Sequence, residues 1–252
     1  MYHRLFIGNK FVNLEKIDST NNYMKELLLI DGNGIEGLVV VAKDQYSGRG
    51  QQGKKWESEK GLNLTLSIFL KPNLLVKHQF LISKVISLGI VHFLKNLGLN
   101  EVKIKWPNDI YVENRKIAGI LIENSIKENK IYQSIIGVGL NVNQIVFNME
   151  KKPTSLITEL DNGSLCLDVC LNQLLFFIEK QYLGLNRNEE NLINRAYLNY
   201  LYGINELRNF KIQQKVVSGI IVGINSFGKL EVNINNEIKT FNLKEIEFIN
   251  EF

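Results

Sequence analysis

The chain has 252 residues, of which 45% are hydrophobic and 22% charged, the balance of a globular protein with a sizeable core. Its formal net charge of +4 comes without any dominant run of lysine and arginine, which argues against a general nucleic-acid-binding protein. No stretch approaches the roughly 20 apolar residues of a membrane-spanning helix, and the N-terminus lacks a signal-peptide pattern. Cys166 and Cys170 have no third ligand nearby and are interpreted as buried free thiols of a cytoplasmic protein.

The first predicted elements are strands around one helix. Residues 11–17 alternate weakly and predict a strand, after which residues 18–20 offer N-cap side chains for an amphipathic helix. The short apolar run at 37–42 is typical of a buried strand. A polar loop over 43–61 then leads into residues 62–68, where apolar and polar side chains alternate and predict a half-buried strand.

A long helix is predicted next, from about Leu74 to Leu97, because the apolar periodicity ends at Gly98. Several adjacent strands follow it, two of them joined by a hairpin turn at Glu113-Asn114. These strands are predicted at residues 102–106, 110–112, 115–123 and 131–142. Adjacent antiparallel strands after a helix predict an α+β fold with the helices on one face of the sheet.

The C-terminal third changes its pattern once. Residues from about 154 to 201 have helical periodicity, whereas from about residue 211 short strands alternate with turns such as Asn225–Gly228. Such a tail is typical of a small β-barrel. We therefore expect two domains, residues 1–203 and residues 204–252.

A polar segment with three glycines, Gly48-Arg49-Gly50-Gln51-Gln52-Gly53, is the first candidate for chemistry, and it is called the glycine loop below. Glycines at this spacing let backbone N–H groups converge on an anion, Arg49 and Lys54 add positive charge, and Trp56 offers a flat face. A strand rather than a helix follows, which contradicts the dinucleotide-binding fingerprint. On this pattern alone, a flexible surface loop with turn glycines remains the alternative.

The second candidate is a hairpin that begins at Lys105-Trp106-Pro107-Asn108-Asp109. A two-residue turn pairs Tyr111 with Lys116 and leaves Asp109 diagonal to Lys116. Diagonal Cβ atoms lie about 7–8 Å apart, within reach of a long lysine side chain. A lysine facing an aspartate suits a site that handles phosphate and carboxylate charges, while the alternative is a surface ion pair.

A third candidate is the strand end Gly137-x-Gly139-x-Asn141. Glycines inside a strand often mark the close approach of a ligand or of another backbone, and a bulge or simple packing is equally compatible. The Asn141 amide could hydrogen-bond the edge of an adenine or cap the strand end.

Together these segments resemble the biotin–protein ligase family, with five motifs in the family's order between about residues 17 and 143. The motifs are Ser19-Thr20-Asn21, Gln45 with Gly48-Arg49-Gly50-x-x-Gly53, Lys105-Trp106-Pro107-Asn108-Asp109, Arg115-Lys116-x-Ala118-Gly119-Ile120, and Gly137-x-Gly139-x-Asn141. The resemblance implies an α+β fold with a mixed, largely antiparallel sheet and helices, related to class II aminoacyl-tRNA synthetases. A small C-terminal Src-homology-3-like β-barrel is implied to follow this catalytic domain.

The reaction that the resemblance implies has two steps. The carboxylate of biotin attacks the α-phosphate of ATP, which Mg²⁺ accompanies, and yields biotinyl-5′-AMP and pyrophosphate. The ε-amine of a lysine on a biotin carboxyl carrier protein, or on the carrier domain of a carboxylase, then attacks the mixed anhydride and releases AMP. Family members occur as monomers and as homodimers, and both states remain open for this chain.

The resemblance also implies a role for each matched residue. Lys116 and Arg49 are the implied catalytic residues, and Asp109 is a candidate Mg²⁺ contact without a fixed metal site. The implied biotin-binding residues are Ser19, Thr20, Asn21, Gln45, Gly48, Arg49, Gly50, Gln51, Lys116, Gly119, Gly137 and Gly139. The implied residues for ATP and the adenylate are Arg49, Gln51, Gln52, Lys54, Trp56, Lys105, Asn108, Asp109 and Asn141.

Two features depart from the family's well-known pattern. Gln51 and Gln52 stand where the loop carries arginines, which predicts looser retention of the adenylate. Only 18 residues precede Ser19, too few for a helix-turn-helix domain, so we expect no specific DNA binding. Two other functions stay open at this point: a lipoate or octanoate ligase or transferase, and a biotin-binding module without catalysis.

Overall fold

Two β-sheets organise the chain in the computed structural model, which describes residues 2–31, 34–148, 153–161, 163–187 and 189–249, without the side chains of Asp31, Gln52 and Asn186. The strands of the first sheet are β1 (Phe11–Ile17), β2 (Val39–Gln45), β3 (Asn63–Leu70), β4 (Leu74–Leu75), β5 (Val102–Lys105), β6 (Asp109–Val112), β7 (Arg115–Lys127) and β8 (Lys130–Asn141). The helices are α1 (Thr20–Asp31), α2 (Phe80–Asn96), α3 (Leu156–Leu160), α4 (Leu167–Asn186) and α5 (Glu190–Tyr200).

The first sheet has the strand order β1-β2-β3-β8-β7-β6-β5, with β4 paired to β8. Strands β1 and β2 pair in parallel, and the other pairs are antiparallel. The parallel pair arises because α1 crosses between its two strands, whereas tight turns join β6, β7 and β8. The prediction of a mixed, largely antiparallel sheet in an α+β fold is therefore confirmed.

Helices cover both faces of this sheet, so the prediction of helices on one face is wrong. On one face the side chains of β3, such as Leu66, pack in one core with Ile86 of α2 and Ile178 of α4. On the other face Met24 of α1 packs in a separate core with Phe69 and its neighbours. Adjacent residues of one strand point to opposite faces, which is why two layers of helices can pack on the same strands.

Strand β3 is buried on both faces, which corrects the prediction of a half-buried strand. It lies in the middle of the sheet between β2 and β8, and its polar residues face the side covered by α1 and the glycine loop. Those polar groups are hydrogen-bonded, as buried groups need to be: Thr65 donates to the carbonyl oxygen of Ala42, and Ser67 donates to α1. The alternation of β3 therefore separates a polar site face from an apolar core face.

The predicted helix from Leu74 to Leu97 is shorter than expected. Leu74 pairs with Ile131 of β8, and the Val76 N–H donates to the carbonyl oxygen of Asn129, so this stretch extends the sheet before α2 begins at Phe80. The helical region from 154 to 201 likewise divides into α3, α4 and α5.

The second sheet contains β9 (Leu207–Ile212), β10 (Lys215–Ile224), β11 (Leu230–Ile234), β12 (Glu237–Phe241) and β13 (Glu247–Phe248). Its order is β12-β11-β10-β9-β13, and its pairs are antiparallel. The sheet shares a continuous apolar core with the first one, and the Trp106 indole N–H donates to the carbonyl oxygen of Gly228 over 2.9 Å. A strand-rich C-terminal unit is confirmed, while its closure into a barrel and the domain boundary after residue 203 stay predictions.

Two smaller points concern the cysteines and membranes. Both cysteines are free, and Cys170 is buried, but Cys166 is exposed because it precedes the first turn of α4, contrary to the prediction of two buried thiols. In the part of the chain that the structure describes, no helix is long and apolar enough to cross a membrane.

Candidate active site

The candidate site residues gather on the polar face of the first sheet, beneath the start of α1 and the glycine loop. Three glycines of β7 and β8 show how closely the covering side chains approach the sheet at this location. A Cβ atom on Gly137 would lie 2.6 Å from Asn21 Oδ1, and one on Gly139 would lie 2.2 Å from Cε2 of Trp56. One on Gly119, which pairs with Gly139, would lie 3.0 Å from Cζ3 of Trp56.

The first turn of α1 forms a buried polar network with β2 and β3. The Thr20 backbone N–H and hydroxyl both donate to Gln45 Oε1, over 2.9 and 3.2 Å. Ser67 lies within 2.8 Å of the Thr20 hydroxyl and 2.6 Å of Asn21 Oδ1. Ser19 is also buried, and its carbonyl oxygen accepts the N–H of Tyr23, which starts the helix. The network therefore offers neutral hydroxyl and amide groups to a ligand, and its Asn21 amide is bonded on the other side to the Glu123 carboxylate.

Ser67 was missed in the sequence analysis, although its signal was present. It lies on the polar side of β3, directly opposite Gly137 of β8. Gly137 leaves room for Asn21 to approach the sheet, because a Cβ atom there would overlap that amide. The interpretation of β3 as a half-solvated strand hid the role of this serine.

The glycine loop is closed by its own hydrogen bonds. The Gly50 N–H donates to the Lys54 carbonyl over 2.7 Å, and the Trp56 N–H donates to the Gly48 carbonyl over 2.9 Å. A short 3₁₀ turn spans Gln51–Gly53. The Gly50 N–H is thus used inside the loop, so the predicted convergence of the loop's N–H groups on an anion is only partly available.

Gly48 is required by packing rather than by an unusual backbone angle. A Cβ atom on Gly48 would lie 2.4 Å from the Trp56 carbonyl oxygen and 2.7 Å from Gln45 Nε2. The loop therefore lies directly against Gln45 and the polar network.

Trp56 covers the paired glycines Gly119 and Gly139 with its indole ring. At Gly139 only glycine lets the ring lie this close to the sheet, whereas a Cβ atom on Gly119 would make a tight contact of 3.0 Å. The ring is also 5.5 Å from Lys116 Nζ, a cation–π distance. Its buried Nε1 finds no hydrogen-bond partner among the described residues. Trp56 therefore joins the glycine floor to the lysine, and its predicted contact with the nucleotide stays a prediction.

Lys116 forms an ion pair with Asp109, with Nζ and Oδ1 2.7 Å apart and both side chains about one-third exposed or less. The predicted pairing of Tyr111 with Lys116 is confirmed. A β-bulge after Ile110 shifts the register, so that Asp109 lies opposite Gly119. The bulge turns the lysine toward the aspartate and the indole together, which a regular hairpin would not do.

Arg49 reaches across to the first turn of α1 and to β7. Its two terminal nitrogens lie 2.7 Å from Asn22 Oδ1 and 3.1 Å from Glu123 Oε1. Glu123 also accepts hydrogen bonds from Lys25 over 2.5 Å and from Asn21 over 2.8 Å. Burial of the Glu123 carboxylate opposes its ionisation, but the bonds from Lys25 and Asn21 and the nearby positive charges outweigh burial and lower its pKa.

Glu123 was not found in the sequence analysis. It is 74 residues from Arg49 and 98 from Lys25, and no spacing along the chain relates the three. The only local hint is that it follows Lys116 on the same strand, β7.

The two asparagines predicted to contact adenine use their amide N–H groups on the backbone. Asn108 donates to the Ile120 carbonyl over 2.6 Å, and Asn141 donates to the Thr154 carbonyl over 2.9 Å. Asn141 therefore caps the end of its strand, which is one of the two roles that its position in the sequence allowed. Its buried Oδ1 has no partner in the described part of the chain and remains available as an acceptor.

The remaining predicted nucleotide residues are more dispersed. Lys105 Nζ lies 4.9 Å from the ring of Tyr111 and 5.2 Å from that of Phe248, and so faces the second sheet. Lys54 is exposed. The side-chain oxygen of Gln51 is buried and accepts no hydrogen bond from the described residues. The side chain of Gln52 lies outside what the structure describes.

Within the described ranges, no group of three or more His, Cys, Asp and Glu side chains could hold a metal ion. Asp109 could supply one carboxylate to a cation that arrives with a phosphate ligand, as Mg²⁺ commonly does. It would then share its charge between that cation and Lys116.

Comparison with known proteins identifies relatives of this chain. The profile of the biotin/lipoate A/B protein ligase family matches residues 14–141, a segment that contains the polar network, the glycine loop and the hairpin. The bifunctional ligase/repressor BirA of Escherichia coli is 38% identical over 135 residues, 54% of this chain and 41% of that protein. The bifunctional ligase/repressor BirA of Bacillus subtilis is 26% identical over 244 residues, 96% of this chain and 74% of that protein. The chain thus spans less than half of the first relative's length and about three quarters of the second's.

A solved structure has the same fold. The biotin protein ligase of Aquifex aeolicus, solved in complex with biotin and ATP, superposes with a TM-score of 0.78 at 23% sequence identity. The superposition covers 96% of this chain and 100% of that one, so both sheets and their connecting helices have counterparts there.

Proposed function

The chain belongs to the biotin/lipoate A/B protein ligase family, and from this premise we propose that it is an ATP-dependent biotin–protein ligase. It activates biotin as biotinyl-5′-AMP and transfers the biotinyl group to a lysine of a biotin carboxyl carrier protein or carrier domain. The free thiols favour the reducing cytoplasm as its compartment.

One observation carries this proposal: the polar network and the Lys116 ammonium lie over positions that are two residues apart on β8. Asn21 of the network lies over Gly137, while Trp56 and Lys116 lie at the Gly119–Gly139 pair. Same-face residues of a strand are separated by about 6.6 Å. We propose that a ligand with a polar head, a short aliphatic chain and a terminal carboxylate binds along this line of the sheet, called the groove below, with its head at the network and its carboxylate at Lys116.

The network favours biotin over lipoate or an octanoyl group. The ureido ring of biotin carries both N–H donors and a carbonyl acceptor, whereas a dithiolane or an alkyl chain has none. Hydroxyl and amide groups keep free lone pairs and a second amide proton beyond the bonds that they make to one another, and a head group that hydrogen-bonds can use them whereas an apolar one cannot. The buried cluster of Thr20, Asn21, Gln45 and Ser67 is thus matched to a head group that hydrogen-bonds.

In the first step, a carboxylate oxygen of biotin bonds to the α-phosphorus of ATP, and the bond to pyrophosphate breaks. Two anions must approach each other, so the site has to offset their repulsion. The Lys116 ammonium, held by Asp109 at 2.7 Å, is placed to bind the carboxylate and the α-phosphate together. Arg49 of the glycine loop adds a second positive charge at the loop side of the groove.

In the second step, the ε-amine of the carrier lysine attacks the acyl carbon, loses a proton and displaces AMP. The glycine loop crosses this groove, so it must leave the acyl carbon accessible to the carrier. The only Mg²⁺ contact that we assign is Asp109, as one ligand beside the phosphates of ATP.

Residues 1–203 would carry this chemistry, and residues 204–252 would form the small C-terminal domain. The first strand of the second sheet begins at Leu207, shortly after Gly203, whose φ of 72° makes the turn between them.

A carrier-labelling assay tests the proposal. Purified protein is incubated with ATP, a biotin carboxyl carrier domain and labelled biotin or labelled lipoate. We expect biotin to label the carrier with release of AMP and pyrophosphate. Labelling by lipoate alone would refute the choice of substrate, and tight biotin binding without adenylate would refute catalysis.

Lys116→Ala should lower adenylate formation by at least about 100-fold, the usual effect of losing a group that stabilises transition-state charge. Thermal unfolding should change little, because the side chain is at a partly exposed strand start. Lys130→Ala, an exposed lysine at the start of β8, is the matched control and should keep full activity. Wild-type turnover by Lys116→Ala would remove the lysine from this role.

A further inference from the structure

Glu123 connects the two halves of the site. Its carboxylate is 20% exposed and lies on β7, between the first turn of α1 and the glycine loop. Oε2 accepts the Asn21 amide over 2.8 Å, and Oε1 accepts Arg49 over 3.1 Å. Oε1 also accepts Lys25, and Oε2 lies 3.5 Å from the other terminal nitrogen of Arg49. The one carboxylate thus holds residues from two different parts of the proposed site.

The bond to Asn21 decides which way that amide points. Asn21 Nδ2 faces Glu123, so Oδ1 must face Ser67 and the groove above Gly137. An amide without such a partner can rotate by half a turn and exchange its donor and acceptor. With an acceptor on one side and a hydroxyl on the other, Asn21 keeps one orientation.

The bond to Arg49 sets the position of the glycine loop. The guanidinium is held at two points, Glu123 Oε1 and Asn22 Oδ1 at 2.7 Å. Both partners lie outside the loop, on β7 and α1, so they tie the loop to the rigid part of the fold. Arg49 is 41% exposed, so this tie is weak enough to be broken by competing anions.

We propose that Glu123 is a positioning residue that sets the Asn21 amide for the biotin head group and anchors Arg49 of the glycine loop. The inference rests on the proposed function. Glu123 touches neither reacting atom, so its substitution should act mainly on biotin recognition and on loop order, not on the chemistry at the α-phosphate.

Two measurements test this on the 252-residue protein. The first is the rate of tryptic cleavage after Arg49 without added substrates, followed by mass spectrometry of the peptides. Glu123→Gln should raise this rate about fivefold, because a partly exposed ion pair contributes up to about 1 kcal/mol to holding the loop. This readout does not depend on which reaction the protein catalyses.

The second measurement is biotin-dependent exchange of pyrophosphate into ATP. Glu123→Gln should raise the KM for biotin about tenfold, as loss of a hydrogen bond to a charged group does, and change the KM for ATP less than about twofold. Glu123→Asp keeps the charge but withdraws the carboxylate by one methylene, so its effect on both readouts should be intermediate. It also serves as a second variant if Glu123→Gln does not fold.

Lys25→Gln is the matched control. Lys25 donates to the same carboxylate over 2.5 Å, but its removal leaves the Asn21 and Arg49 bonds in place. It should leave both readouts within about twofold of the wild type, so equal changes in Lys25→Gln and Glu123→Gln would overturn the inference. Unchanged cleavage and an unchanged KM for biotin in Glu123→Gln would overturn it as well. Absence of exchange in the wild type would refute the proposed function. The cleavage rate would still test whether Glu123 anchors Arg49.

Discussion

Replacing Gly139 with alanine should displace the Trp56 indole from the floor of the proposed site. The added Cβ would lie 2.2 Å from Cε2 of the ring, whereas ordinary contact begins at 3.4 Å. The ring must therefore retreat by about 1.2 Å, because the sheet backbone beneath Gly139 is fixed by its ladder with β3 and β7. Trp56 also contacts Lys116, so the ammonium loses its neighbour.

Two magnitudes follow from this displacement. A shift of about 1 Å in a positioned group can cost about 100-fold in rate, so adenylate formation should fall by that order. Overpacking in a well-packed region costs about 1–3 kcal/mol, and each kcal/mol lowers the Tm of a chain of this size by about 2–4 °C. The variant should thus stay folded at room temperature while it loses activity.

Tryptophan emission and pyrophosphate exchange report the two effects. The chain has two tryptophans, and Trp106 is bonded to Gly228 of the C-terminal unit, away from the substitution. A change in tryptophan emission therefore reports the environment of Trp56. Gly119→Ala is a graded comparison, since its Cβ would lie 3.0 Å from the ring and should cost less. Gly184→Ala, inside α4, is the control and should stabilise by about 0.5–1 kcal/mol with activity unchanged. Wild-type emission and activity in Gly139→Ala would refute the reasoning.

Three further predictions address stability and loop chemistry. Glu179→Gln should lower the free energy of unfolding by about 3 kcal/mol in denaturant titration, because the buried carboxylate accepts the backbone N–H groups of residues 5–7. Gln51→Arg should slow adenylate dissociation, measured by filter binding, since arginine adds a charged donor beside the phosphate; equal rates would contradict this. Burial lowers the pKa of Lys84 to about 8 from 10.5, so stability should rise as pH increases between these values, where only the unfolded chain keeps the proton. Lys84→Met should remove that rise in thermal unfolding curves.

Much of the site could be predicted because its parts are local in sequence. The two-residue turn at Glu113-Asn114 paired Tyr111 with Lys116, and the length of a lysine side chain then allowed the contact with Asp109 that the structure contains. The glycines of β8 indicated close approach as one of two readings, and the structure selects it, since Asn21 and Trp56 lie where their Cβ atoms would be. Periodicity of two or 3.6 residues was enough to place most strands and helices.

Other features depend on elements that are distant along the chain. Whether the polar side of β3 meets water or protein is decided by α1 and the glycine loop, which fold over it, and not by the alternation itself. The bulge that turns Lys116 arises from the pairing of β7 with β6. Leu74 lies in the sheet instead of a helix because it pairs with β8.

The sequence by itself therefore determined the fold class, the hairpin pairs next to the turn and the residues that carry charge, because these follow from neighbours in the chain. Only the tertiary structure decided that Glu123 holds Arg49 and Asn21, and that Trp56 lies on the glycine floor beside Lys116. The physical reason is that packing and burial select which side chains meet across the fold. Both depend on contacts with many residues that are distant in the chain, so local spacing carries no signal of them.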